Sequence, residues 1–336
     1  MKLNNCWICA ILFIACFIVY FNCLEGQFVS DDLLIVEGEH ILATGSINWI
    51  FPQEAIYKLV IKYFGLKPLP LHIFYVLLHS INSILVFFLL CKFFTKISAF
   101  IGALFFAVHP IHTESVSWIS GGGYVWIGFF VFVTLILLSK KKMPFTLLAV
   151  LMFIYFLPHA YPWIGVFPAM LLVYNLSLKS TKFRINYLIV ILFLAIAVGY
   201  VSKNIPGVIM RIKLINPKVT GQLISSDWFV SSTHSICANL WMIFFPFRLS
   251  FYHEPVIISN LQMISEATFT ILLLASLYLL YKYVKPIFFG LMTFLLFLIP
   301  TYGLFRVTWI VSERYLYLPS FLFSIMIGWL WEKYAS

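Results

Sequence analysis

A chain of 336 residues in which 62% are apolar and only 10% are charged carries more apolar surface than a soluble domain can bury, so lipid is the expected solvent for most of it. The net charge of +10 does not mark a nucleic-acid partner, because Lys and Arg punctuate apolar runs instead of gathering on one polar face. Six cysteines give no disulfide framework: Cys6, Cys9, Cys16 and Cys23 lie in or beside one apolar run, and Cys91 and Cys237 stand alone.

Residues 6–23 are the first predicted span. Cys9, Cys16 and Cys23 recur every seven residues and share one helix stripe, where small side chains allow close packing. Lys2, an apolar core and "FIAC" also resemble a cleavable signal, but the apolar run continues past Cys16 to Phe21, so an uncleaved span is expected. "FVSDDLLIVEGEH" (28–40) then sets Asp31, Asp32, Glu37 and Glu39 against the end of that span, in a chain with only 12 acidic residues. The first outer loop, 24–70, goes on with amphipathic stretches suited to a membrane surface.

Further spans are predicted at 71–91, 97–109, 124–139, 145–158, 160–177, 185–202, 264–281, 286–301 and 315–332. His72, His79 and Asn82 form a polar stripe on the second of these, and intramembrane polar groups belong in a bundle interior. Residues 229–246 are apolar but interrupted by Ser, His and Asn. Basic residues fall at every second loop: Lys2, then Lys92 and Lys96, Lys140 to Lys142, Lys179 with Lys182 and Arg184, Lys282 with Lys285, and Lys333. The positive-inside rule therefore puts both termini in the cytoplasm with an even number of crossings, and 229–246 does not cross. The long outer loop 203–263 is itself basic at Lys203, Arg211, Lys213 and Lys218, which fits a segment lying in the interface. The expected fold is an all-α polytopic membrane protein: a bundle of about ten or eleven transmembrane helices with interfacial helices in the outer loops. Residues 1–336 make one domain, and no soluble domain is expected.

This topology gathers the unusual polar residues on the outer face. Adjacent carboxyls repel, so one of the pair Asp31–Asp32 can take a proton and act as a general base; equally, Ser30–Asp31 can simply cap a short helix. "HPIHTE" offers His109, His112 and Glu114, which could hold a divalent metal, or orient a carboxylate or a phosphate; the metal is the weaker reading. "SERYLYLP" brings Glu313, Arg314 and Tyr317 to the mouth of the last span. An Arg there can clamp a phosphate, or snorkel outward beside a Tyr belt.

In order along the chain, "FVSDD", "GLKPLPLHIFYVLLHSINSIL", "LFFAVHPIHTESVSWISGG", "WMIFFPFRLSFYHEP" and "SERYLYLPSFLF" resemble the transmembrane, tetratricopeptide-repeat-containing O-mannosyltransferases and their bacterial relatives, of the GT-C glycosyltransferase superfamily. The resemblance runs through essentially the whole chain. It implies a GT-C-like bundle, a polyprenyl-phosphate-linked sugar as donor, an external protein or glycan acceptor, and inversion at the sugar carbon. Asp31 would be the base with Asp32 supporting it. His109, His112, Glu114 and Glu313 would line the site, and Arg314, with Tyr317 beside it, would hold the donor phosphate. No cofactor is certain, and a divalent metal stays open.

Three departures from the family pattern stand out. Gly122, Gly123 and Tyr124 occupy the place of an Arg-Ala-Asp run, a Ser-Lys-Glu box is missing near "HAYPWIGVFP", and the chain stops at Ser336 without repeats. The last favours a bacterial inner-membrane protein with an external active site. The first two leave room for a noncatalytic member that binds polyprenyl-phosphate lipid or a membrane enzyme. A transporter ranks last, because no carboxylate lies in mid-span and no internal repeat is visible.

Overall fold

Pro at the first helical turn and a mostly apolar run free of charged residues explain the longest well-packed helix, Pro68–Leu90. The computed structural model describes residues 4–38, 52–156, 166–178, 185–214, 228–247, 249, 250, 253, 258–302 and 309–335. In chain order the helices are α1 (Asn5–Val19), α2 (Leu33–Glu37), α3 (Pro52–Phe64), α4 (Pro68–Leu90), α5 (Lys96–Val108), α6 (Thr113–Ser117), α7 (Gly123–Ser139), α8 (Met143–Phe156), α9 (Val166–Ser177), α10 (Tyr187–Leu214), α11 (Trp228–Phe244), α12 (Asn260–Tyr283), α13 (Lys285–Phe297) and α14 (Phe321–Tyr334). Among the described residues there is no strand, as expected for an all-α chain.

The expected count of ten or eleven spans is not confirmed. Among the described residues, three helical segments are long and apolar enough to cross a bilayer: Pro68–Leu90, Ser120–Ser139 and Asn260–Tyr283. The pair Lys96–Val108 and Pro110–Ser117, bent by 47°, makes a fourth if it is taken as one span. Five shorter apolar helices lie within Asn5–Val19, Met143–Tyr155, Val166–Ser177, Tyr187–Val201 and Lys285–Phe297. The apolar runs were read as uniform helices, whereas their outer ends tighten into 3-10 turns at Phe21–Glu25, Ile299–Thr301 and Glu313–Leu316, which removes a turn or more from each. Residues 229–246 do form a helix, α11, with a buried polar side. The basic part of the 203–263 loop begins as a continuation of α10, which runs to Leu214.

Helix α4 is the hub and packs on α1, α5 and α7; α5 also packs along α14, and α13 lies between α14 and α9. The α5–α14 contact is close because two glycines permit it. A Cβ on Gly102 would sit 2.5 Å from the Ser324 carbonyl oxygen, and one on Gly328 would sit 3.1 Å from that of Ser98. Glu332 of α14 caps the start of α5: its carboxylate accepts from the Thr95 N–H at 3.1 Å, from Thr95 Oγ1 at 2.6 Å and from Ser98 Oγ. That satisfies donors at the positive end of the helix.

The stripe on α4 faces inward. His79 Nε2 donates to the Ala107 carbonyl at 3.1 Å, and its Nδ1 accepts from the Tyr317 hydroxyl at 2.8 Å. Asn82 Nδ2 donates to the Val125 carbonyl (2.8 Å) and to the same Tyr317 oxygen (2.9 Å). Interhelical bonding is thus what His79 and Asn82 do. In α11, Ser232 donates to the Tyr302 carbonyl at 2.7 Å, Ser235 meets Thr301 at 2.7 Å, and His234 pairs with Glu266 of α12 at 3.0 Å. At one end of the bundle, the turns Phe21–Glu25, Pro110–His112, Ser120–Gly122 and Glu313–Leu316 gather around α4, α6 and α11. The expected site residues lie there.

Candidate functional site

The turn carrying the acidic pair is built under strain. Ser30 has φ +52°, in the left-handed region that costs a non-glycine residue about 1 kcal/mol or more. Asp32 holds the turn in place. Its Oδ2 accepts from the Val29 N–H at 3.2 Å, and its Oδ1 accepts from the Ser120 N–H at 2.8 Å and from Ser120 Oγ at 2.5 Å. With 0% exposure, Asp32 is an anchor, while Asp31 points out and is exposed. The capping reading is therefore half right: Asp32 reaches back to its own turn, but no side-chain cap bond reaches α2. Glu37 and Glu39, from the same acidic run, have side chains outside the described residues.

Ser120 belongs to a strip, Trp118–Ser120, on which several elements converge. Gln53 of α3 donates to the Ser120 carbonyl at 3.3 Å, and the Tyr57 hydroxyl donates to the Ile119 carbonyl at 3.0 Å. Gln53 and Tyr75 in turn both donate to Tyr57 Oη, at 2.5 Å and 3.4 Å. Burial pushes the Tyr57 phenol up to about 12, so it stays a donor. Just beyond the strip, Gly122 leaves no room for a side chain: a Cβ there would lie 1.9 Å from the Tyr75 ring. The arginine of the family run has no space here, because Tyr75 fills it.

On the other side of the strip, the Trp118 ring lies 5.3 Å from the Arg314 guanidinium carbon, with the Tyr315 ring at 5.4 Å. Arg314 Nη1 pairs with Glu114 Oε1, and Glu114 Oε2 accepts from the Arg314 N–H at 2.7 Å and from Ser312 Oγ at 3.3 Å. Burial lifts the Glu114 carboxyl above its ordinary value more than the guanidinium beside it lowers it. Burial works against the Arg314 charge too, but Glu114, Tyr315 and Tyr124 together outweigh it and hold Arg314 above the ordinary guanidinium value. Glu313 turns elsewhere: its Oε1 accepts from the Ser250 N–H at 2.5 Å and lies 3.5 Å from His253.

The two histidines of "HPIHTE" are structural in this geometry. His109 Nε2 donates to the Ile243 carbonyl of α11 at 3.0 Å while Nδ1 accepts from the Ile111 N–H at 3.2 Å, so the ring is held neutral. Burial takes it down to about 4. His112 Nε2 donates to Ser320 Oγ at 2.6 Å, since Ser320 gives its own proton to the Tyr317 carbonyl. Burial, with His79 and His109 close by, puts His112 well below the ordinary imidazole value. His109, His112 and Glu114 thus serve three different partners. Among the described residues no group of three His, Cys, Asp or Glu side chains is placed to hold a metal ion.

Tyr317 corrects the expectation most clearly. It is fully buried in the bundle with its hydroxyl engaged by His79 and Asn82, so it cannot reach a phosphate beside Arg314. Ser120, Trp118, Gln53 and Tyr57 were missed. Only the apolar periodicity of α3 and the Ser in "WISGG" hinted at them.

Mus musculus Protein O-mannosyl-transferase TMTC3 is 36% identical over 80 residues, 24% of this chain and 9% of that protein. The Homo sapiens protein of the same name is 25% identical over 321 residues, 81% of this chain and 34% of that protein. Homo sapiens Protein O-mannosyl-transferase TMTC1 is 30% identical over 126 residues, 30% of this chain and 14% of that protein. The chain therefore spans about a third, or less, of the length of the curated relatives it matches. No family model and no solved structure matches it. Over the matched stretches the chain is similar to these proteins, and it carries helices long and apolar enough to cross a membrane.

Proposed function

We propose that this chain transfers a sugar, mannose by analogy with the relatives' names, from a polyprenyl-phosphate donor to a hydroxyl of a protein or glycan at the non-cytoplasmic rim, with inversion. The observation that carries the reading is the Trp118–Ser120 strip. Residues far apart in sequence, Asp32 and Arg314, contact its two ends. In the proposed reaction the exposed Asp31 carboxylate takes the proton of the acceptor hydroxyl as its oxygen attacks the sugar carbon. The new carbon–oxygen bond forms as the bond to the donor phosphate breaks, and Arg314 stabilises the departing phosphate through the N–H groups not used by Glu114.

Asp31 is exposed, so Asp31→Asn is expected to fold and insert normally while reducing transfer from a labelled polyprenyl-phosphate sugar by about a hundredfold or more. Transfer at the wild-type rate would remove Asp31 as the base. A second reading, lipid binding without turnover, is favoured by one observation: Arg314 already has a carboxylate partner in Glu114. It forecasts donor binding by the purified wild-type protein with no product, and turnover would eliminate it.

A further inference from the structure

The cysteines at the start of the chain divide between two environments. Cys16 is fully buried, with Sγ 3.6 Å from Ser83 Oγ and donating to the Ala107 carbonyl at 3.9 Å, and Cys23 is buried just past the end of α1. These two do the close packing expected of the seven-residue stripe. The pair in the first turns of α1 does not: Cys6 is exposed and Cys9 is half-buried.

The face that carries this pair is apolar and uncovered. Ile8, Leu12 and Cys16 are the buried side of α1, whereas Phe13, Ile14, Ile18 and Phe21 are exposed. Side chains four apart on a helix stack into ridges. Cys9, Phe13, Phe17 and Phe21 follow one ridge, and Cys6, Ala10, Ile14 and Ile18 follow the next. Between the two ridges lies an open furrow of about 420 Å³, lined by Phe13, Ile14, Phe17, Ile18 and Phe21. The Phe13 and Phe17 rings, 4.8 Å apart, make one of its walls. The same ridges carry the furrow back to the two thiols, and the small side chain of Ala10 leaves that end unblocked. From Cys9 to Phe21 the helix rise gives about 18 Å, slightly more than the depth of one leaflet and enough for a straight fatty-acyl chain.

We infer that α1 is an S-acylation site: Cys6, with Cys9 beside it, carries a fatty-acyl chain as a thioester, and the chain lies along the furrow walled by Phe13 and Phe17. The donor class is a fatty-acyl coenzyme A, presented at the face where Lys2 puts this end of the chain. The Cys6 sulfur attacks the acyl carbonyl carbon. A carbon–sulfur bond to Cys6 forms as the bond to the coenzyme A sulfur breaks, and the thiol proton leaves with coenzyme A. No oxidant or reductant is needed, and nothing in this inference depends on sugar transfer.

The test uses the full chain in permeable lipid vesicles, given palmitoyl coenzyme A with a photoreactive group in its chain. Hydroxylamine-labile label is expected on Cys6 and Cys9 at least about tenfold above that on the half-buried Cys91 and Cys237. Irradiation should then crosslink the chain to the segment 13–21. In Cys6→Ser/Cys9→Ser both signals should be lost, with the melting midpoint unchanged. Equal label on all four cysteines would show access to thiols alone and overturn the site. Crosslinks to 13–21 that persist in the double variant would show a free chain in the furrow and overturn the tether. Label on Cys6 with crosslinks to bilayer lipid only would overturn the furrow as its seat.

Discussion

Glu114 shows how much one side chain can organise. It accepts from the backbone and side chain of Arg314 and from Ser312, so a single carboxylate both fixes the Glu313–Leu316 turn and neutralises a buried cation. Removing one partner of such a pair costs more than the pair contributes, because the other charge stays buried and unpaired. Glu114→Gln is expected to destabilise the protein by about 3–5 kcal/mol in detergent melts, and the double variant Glu114→Gln/Arg314→Gln by less. If the single variant melts with wild type, this pair does not hold the turn. Arg314 stood out in the sequence as a lone basic residue at the mouth of the last span. Its commitment to Glu114, 200 positions away, was not legible, because nothing local links "HTES" to "SERY".

At the scale of elements, His109 ties the end of α5 to α11. Burial lowers its folded value to about 4 from 6.5, so on acidification the unfolded chain takes up the proton first. The contribution of His109 is therefore complete above about pH 6.5 and is lost as the pH falls toward 4, and His112 acts with the same sign. Melting midpoints should drop between pH 7 and pH 4.5, and His109→Gln should flatten that dependence. An unaltered slope in the variant would show that other groups set it.

Helix periodicity located these elements well, and α4, α7 and α12 match their apolar runs closely. The ends were less legible. A 3-10 turn and an α-helix share composition, and what shortens α1, α13 and α14 is tertiary contact among the outer turns. Tyr75 and Gly122 make the same point for the site. Each is unremarked alone, and only their superposition shows that a phenol ring has taken the space of a missing side chain.

For the whole molecule, the alternating basic loops predict that the acidic turn and the His-rich loop face one compartment. Both lie at one end of the bundle, joined by the Asp32–Ser120 bonds. With Cys6, Cys9, Cys16, Cys23, Cys91 and Cys237 replaced, exposed positions can report the side: Asp31→Cys and Thr113→Cys should react with an impermeant thiol reagent from one face, and Lys142→Cys only from the other. Reaction of positions 31 and 113 on opposite faces would dismantle the site. The many exposed apolar side chains of α12, in which Thr270 alone is buried, fit a helix surrounded by lipid on most sides.

The narrowness of the Trp118–Ser120 strip has a mechanical corollary. An aromatic face at one end and a hydroxyl at the other are held in register by two peptide units, too short a stretch to absorb slack. Lengthening it by even one glycine would part Asp32 from Arg314 while leaving both side chains intact. The spacing of those three residues thus sets the distance between a buried anion and a buried cation.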